Sequence, residues 1–241
     1  MENDSNQASA APGPIGPAAA SELNNLLQIV AGTVSMLENV WEGAAGSEKY
    51  FDMLRVSVDR AAKVTAQLVQ QAGGTEQKNL LHPAMQDMAS DPPASAREKK
   101  RSILIVDDEP MALTLSKHVL TQASFEVTTA QSGFDALDLF RKSPVSFDLV
   151  LLDLTMPFMD GEETFGLLRA IDTLVPVILN TGFIEEHRLK RMMAAGLTGF
   201  LRRPYRPDEL IAQIRSVAVV GRARIAPMPA DDLPAHAAEV V

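Results

Sequence analysis

Residues 102–220 predict an α/β domain built on a five-stranded parallel sheet, and residues 17–73 predict an antiparallel helical hairpin ahead of it. Three observations carry this. After residue 102, near-continuous apolar runs alternate five times with helix-like segments, the pattern of strands buried on both faces by the helices that connect them. Before residue 74, apolar residues recur at spacings of three and four, the period of a helical seam. Between the two, "SDPPASAREKKR" combines two prolines, small residues and a charge cluster, so residues 74–101 are expected to be a linker.

The elements follow in order. Residues 1–16 are rich in Ala, Pro, Gly and polar residues and are expected to be a disordered leader. In the first helix, Leu23, Leu27, Val30, Val34, Leu37 and Trp41 form a heptad seam, which Leu26, Ile29, Met36 and Val40 widen to a broad stripe. "GAAGS" breaks the helix and places Ser47 to cap the next. Phe51, Leu54, Val58, Ala61, Thr65, Leu68 and Ala72 continue the pattern until Gly73 and Gly74 stop it. Two wide apolar stripes cannot bury each other fully. A four-helix bundle formed by two copies is therefore expected in preference to packing on the C-terminal domain.

The five β–α units then run "SILIVD", "PMALTLSKHVLTQA"; "FEVTTA", "GFDALDLFRKS"; "FDLVLLD", "GEETFGLLRAI"; "VPVILNT", "EEHRLKRMMAAG"; "TGFLRRP", "PDELIAQIRSVAV". Residues 221–241 are expected to be a loose, disordered tail.

Composition excludes several classes. The absence of cysteine rules out disulfides, thiolate metal sites and a cysteine nucleophile, and agrees with a cytoplasmic location. A net charge of −9 argues against nonspecific nucleic-acid binding. The basic residues of "REKKR" and "HRLKRMMAAG" are expected to be solvated. The acidic start is unlike a signal peptide, and no uncharged apolar run nears the ~20 residues of a membrane span. Some twenty residues after the sheet domain are too few for a helix-turn-helix, so no DNA-binding output is expected.

Chemistry concentrates at the carboxyl ends of the strands, where open parallel sheets bind ligands. Strand one ends in Asp107 and Asp108, strand three in Asp153, strand four in Thr181, strand five in Arg203. A carboxylate ending the apolar run Leu149–Leu152 is costly to desolvate. If strands one and three are neighbours, three carboxylates converge, repel one another and call for a cation. Their hard oxygens suit Mg²⁺.

The segments "ILIVDDEP", "DLVLLDLTMPFMDG", "PVILNTG" and "GFLRRPYRPDEL", in that order, resemble the receiver domains of two-component response regulators over residues 102–220. The resemblance implies a flavodoxin-like (βα)5 fold. It implies that Asp153 is the phosphoacceptor for a partner histidine kinase or phosphotransfer protein. It further implies that Asp108, Asp153 and the Thr155 carbonyl hold Mg²⁺ with Asp107 in support, that Thr181 binds the phosphoryl group, and that Phe200 is the aromatic gate. A buried core aromatic is the plainer reading of Phe200. Arg203 departs from the pattern, which has Lys before the final Pro. It either pairs the acyl phosphate or pairs the empty acids and mimics the phosphorylated state. The resemblance also implies a cis Arg203–Pro204 bond.

"SELNNLLQIVAGTVSMLENV" resembles the first helix of a histidine-kinase dimerisation and phosphotransfer domain, with Ser21 where the phosphoacceptor histidine stands. Serine cannot form a phosphoramidate. None of His82, His118, His187 and His236 lies on the hairpin, and no ATP-binding domain precedes the receiver. The hairpin is thus expected to be a degenerate phosphotransfer domain kept for homodimerisation or docking through residues 21–72, and Ser21 an ordinary helix residue or cap.

The expected function is a bacterial phosphorelay response regulator, not an enzyme, signalling through a downstream protein partner without nucleic acid or membrane. Its switch surface is the fourth helix, fifth strand and fifth helix of the domain, residues 184–218. The alternative is a non-catalytic adaptor or decoy that holds a kinase through its hairpin, with a receiver locked by Arg203. A haloacid dehalogenase-type phosphatase also uses an aspartyl nucleophile but wants a second acid where Thr155 stands.

Overall fold

A computed structural model describes residues 16–40, 47–71, 73–74, 79–81, 100–142 and 147–220. The expected leader (1–15), most of the linker and the tail (221–241) lie outside the described residues, as do Trp41 and Ala72. Helices α1 (Pro17–Val40) and α2 (Ser47–Gln71) form the hairpin. Arg55 of α2 reaches Glu38 of α1 at 2.9 Å.

The sheet domain follows as β2 (Ser102–Val106), α3 (Pro110–Gln122), β3 (Glu126–Ala130), α4 (Gly133–Lys142), β4 (Leu149–Leu152), α5 (Gly161–Ile171), β5 (Val177–Thr181), α6 (Glu186–Ala194), β6 (Gly199–Arg202) and α7 (Pro207–Val220). Its strands are parallel. The apolar runs of β2, β4 and β5 are buried on both faces, whereas β3 at the sheet edge is mostly half-buried. Leu104, Val106, Val150 and Leu152 point to one core layer with Phe140, Phe165 and Phe200. Ile103, Ile105, Leu149 and Leu151 point to the other with Leu120, Tyr205 and Ile214.

The expected five-stranded parallel sheet is corrected to six strands. Residues Asn79–Leu81, inside the expected linker, form β1 and pair antiparallel with β6, giving the order β1-β6-β5-β4-β2-β3. Leu80 lies opposite Phe200, and Gln213 of α7 donates to the Leu80 carbonyl at 3.2 Å. Three residues without a period, set between polar neighbours, carry no strand signal; pairing on a free apolar edge makes them a strand.

The hairpin also packs on the C-terminal domain, the arrangement the sequence reading placed second, and the expected bundle of two copies is not tested by a single chain. In this packing α1 meets α3. Gly32 permits this approach, since a Cβ there would sit 2.9 Å from the Leu115 side chain. The face of α1 turned inward is Ala20, Ser21, Asn24, Gln28 and Val34, while the seam residues Leu23, Val30 and Leu37 remain exposed. The hydrophobic spacing is the stronger sequence signal, yet of the seam residues Val34 is buried while the polar Ser21, Asn24 and Gln28 beside the seam are buried too.

Candidate functional site

The strand order puts β2 between β3 and β4 and sets the ends of β2 and β4 side by side, in register from Ile103–Leu149 to Val106–Leu152. The next residues along are the acids. Asp107, Asp108 and Asp153 each bring a carboxylate oxygen within 4.8 Å of the others. β5 and β6 bring Thr181 and Arg202 into register, so Thr181 and Arg203 join the same rim.

The acids are not alike. Asp107 and Asp153 are buried, and Asp108 is exposed. Asp107 accepts from the Glu109 amide at 2.9 Å, and Asp153 Oδ1 from the Leu154 amide at 2.8 Å. Asp153 Oδ2 is buried with no hydrogen-bond partner. Burial pushes the Asp153 carboxyl up to about 7; Arg203 opposes the rise, and Asp107 adds to it. Burial and the charge of Asp107 also raise Asp108.

Arg203 is 1% exposed. It pairs with Asp107, lies 3.8 Å from Asp153 Oδ1, and leaves its buried Nε without a partner. Burial works against its charge, yet Asp107 and Asp153 hold its pKa above the ordinary arginine value. Of the two roles expected for Arg203, this geometry is the pairing of the acids. The Arg203–Pro204 bond is cis.

Thr181 is fully buried and donates to the Phe183 carbonyl at 3.3 Å. Phe200 is fully buried in the core and is not on a sheet edge, since β1 covers that side. Asp160 caps α5 by accepting from the Glu163 amide at 2.9 Å. Asp160 and Glu162 also hold Arg188 of α6, tying the two helices together at this rim.

The residues fit a hard divalent cation. Three carboxylates converge, and a buried carboxylate oxygen has no partner to satisfy it, a costly arrangement that a cation relieves.

Ser21, expected to be an ordinary helix residue or cap, is a correction. Its Oγ is 3.4 Å from the Thr155 Oγ1, two residues past Asp153. Asn24 Nδ2 donates to the Gly182 carbonyl at 2.5 Å, one residue past Thr181. Arg203 donates to Asn25 Oδ1 at 3.0 Å, and Gln28 accepts from the Tyr205 amide at 2.7 Å. Four consecutive-turn polar residues of α1 thus touch the loops after β4, β5 and β6. The signal for this lay in "SELNNLLQ", where polar residues recur at three- and four-residue spacings beside the apolar stripe.

Residues 103–215 match the response regulator receiver domain family. Among known proteins, the chain is 30% identical over 118 residues to the transcription factor SKN7 of Candida albicans, covering 49% of this chain and 21% of that one. It is 38% identical over 119 residues to the probable transcriptional regulator ycf27 of Porphyra purpurea, covering 49% of this chain and 48% of that one. Among solved structures, the response regulator TrrA of Thermotoga maritima in complex with Mg²⁺-BeF is 30% identical, covering 48% of this chain and 98% of that one with a TM-score of 0.44. The chain spans half or less of the length of these two curated relatives. No described helix is long and apolar enough to cross a membrane.

Proposed function

With residues 103–215 forming a response regulator receiver domain, we propose that this protein accepts a phosphoryl group on Asp153 from the phosphohistidine of a partner kinase or phosphotransfer protein. An Asp153 carboxylate oxygen attacks phosphorus, the phosphorus–nitrogen bond breaks, and neutral imidazole leaves after taking a proton. An aspartyl phosphate remains. Phosphoryl transfer asks mainly for positioning and charge neutralisation. Asp108 and Asp153, with the Thr155 carbonyl and with Asp107 in support, would hold Mg²⁺, which supplies that neutralisation when bound. Thr181 turns from the Phe183 carbonyl to donate to the phosphoryl group, and Arg203 pairs with it. The observation that carries this reading is the gathering of Asp107, Asp108 and Asp153 at one rim with a partnerless Asp153 oxygen among them.

The signal passes through protein contacts. Movement of Thr181 frees the residue 183 carbonyl, and Phe200 follows in the core between β1 and β5. The surface that changes is α6, β6 and α7. The hairpin is a degenerate phosphotransfer domain that also joins two copies. Its support is the seating of Ser21, at the position of the missing histidine, against Thr155.

The test is incubation with acetyl phosphate and Mg²⁺, read by intact mass. A single added phosphoryl group that disappears in Asp153→Asn is expected; labelling that survives Asp153→Asn overturns the assignment.

One observation favours a second reading, the adaptor locked in one state. Arg203 already neutralises Asp107 and Asp153, and α1 already lies against Arg203 and the loop after Asp153. Kinase capture that is indifferent to Asp153→Asn, with no labelling, supports it.

A further inference from the structure

Resting on the phosphoacceptor reading, we propose that α1 is a docking helix for a receiver rim and that its occupant here is the chain's own receiver: the Ser21–Gln28 face stands, in cis, on the ground a donor's histidine-bearing helix must take to reach Asp153. The contacts define this ground. Ser21 lies against Thr155, Asn24 against Gly182, Asn25 against Arg203 and Gln28 against Tyr205. These are the loops that follow β4, β5 and β6, and Asp153 stands at the head of the first. With α1 in place, Asp153 is 1% exposed. A donor helix and α1 cannot share the rim.

The seat is built rather than incidental. Three of the four α1 residues, Ser21, Asn24 and Gln28, are buried, although they are polar and lie in an N-terminal helix with apolar residues beside them. Each has a protein partner on the receiver, which offsets the cost of burying it. The receiver has matching vacancies for side chains. A Cβ on Gly182 would lie 2.7 Å from Asn24 Cβ and 2.8 Å from the Ser21 carbonyl, so the loop must be glycine for α1 to lie down. The end of the hairpin is fastened as well. Ala20 and Val69 enclose Phe183, Gly74 bridges to Glu185, and β1 extends the sheet beside β6.

The seat and the switch share one loop. Thr181 in this structure donates to the carbonyl of Phe183, the residue that Ala20 and Val69 hold. Turning Thr181 toward a phosphoryl group removes that bond from beneath the hairpin. Asn25 and a phosphoryl group compete for Arg203 in the same way. The coupling is reciprocal by necessity: a seated α1 opposes phosphorylation, and phosphorylation opposes seating. The released α1 face would then be free to engage a receiver in trans.

The test uses the full chain, whose lack of cysteine allows a clean lock. Oxidation of Ser21→Cys/Thr155→Cys should crosslink α1 to the rim, and Asn24→Arg should unseat it. Acetyl phosphate with Mg²⁺ is the donor, with mass as readout. Labelling at least tenfold slower in the oxidised than in the reduced lock, and at least tenfold faster in Asn24→Arg than in the unaltered chain, is the expected result. Asn24→Arg labelling at the unaltered rate, or oxidised and reduced forms labelling alike, overturns the cis occupant. The failure of the underlying reading has a different signature: no form is labelled, Asn24→Arg and the reduced lock included, while the crosslink still forms.

Discussion

Arg203 and Asp107 face each other from the carboxyl ends of β6 and β2 and pair while both are buried, 1% and 2% exposed. A buried pair of this kind contributes little net stability while intact, because desolvation takes back most of the attraction. Its loss is another matter. Removing the cation leaves Asp107 and Asp153 facing each other without compensation.

Arg203→Met is therefore expected to cost the metal-free protein about 3–5 kcal/mol, the range for breaking a buried pair from one side. Millimolar Mg²⁺ should recover part of this, since a cation can take the place of the guanidinium among the acids. Urea unfolding with and without Mg²⁺ measures both. A variant as stable as the original in the absence of metal would show that Arg203 is not what neutralises the rim.

Asp153 gives the pH dependence. An aspartate in the unfolded chain titrates near 4, and burial holds Asp153 at about 7 in the folded protein. Between those values the folded protein keeps a proton that the unfolded chain releases. The stabilisation is thus fully present below about pH 4 and lost as pH rises through 7. Metal binding runs the other way, because it needs the carboxylate. Mg²⁺ affinity by calorimetry should weaken by about tenfold per unit as pH falls below 7. A flat profile between pH 5 and 8 contradicts this account.

Gly161 tests how the phosphoacceptor loop is built. Its amide donates to the Leu154 carbonyl at 2.9 Å, and a Cβ there would lie 2.3 Å from the Asp153 carbonyl and 2.7 Å from the Leu154 Cα. Backbone cannot yield as a side-chain tip does. Gly161→Ala should destabilise by about 1–3 kcal/mol and slow phosphorylation at least tenfold by displacing Asp153. Gly166, in the same helix with nothing within 4 Å of such a Cβ, is the control. Gly166→Ala should stabilise by about 0.5–1 kcal/mol and leave labelling unchanged.

The parts of the molecule legible in the sequence are those where one physical rule dominates. Strands β2, β4 and β5 carry near-continuous apolar runs because both faces are covered, and their ends name the rim where Asp107, Asp153 and Thr181 meet. The parts that were not legible are decided by two segments meeting. Leu80 has no strand signal of its own and becomes β1 by lying against Phe200. Asn24 and Gln28 look like the solvent side of an amphipathic helix, and only the presence of Gly182 and Tyr205 opposite makes them an interface. Heptad spacing marks which residues of α1 are apolar. It does not say which face a polar partner will claim.

The apolar face that docking leaves outside yields the last prediction. On α1, Leu23, Leu26, Val30 and Leu37 are 37–55% exposed at spacings of three, four and seven. On α2, Met53, Val56 and Val64 are similarly exposed. Spacings of this kind define a helical seam, and a seam of two antiparallel helices is completed by the same seam on a second copy, giving a four-helix bundle without disturbing the polar face on the rim. The proposed homodimer therefore uses Leu26 and Val30, while Ser21, Asn24 and Gln28 stay on the receiver. Leu26→Glu/Val30→Glu should turn a dimer into a monomer in sedimentation equilibrium while leaving acetyl phosphate labelling within about twofold, because neither residue is buried against the sheet domain. A chain that is monomeric before the substitution removes the bundle from the account.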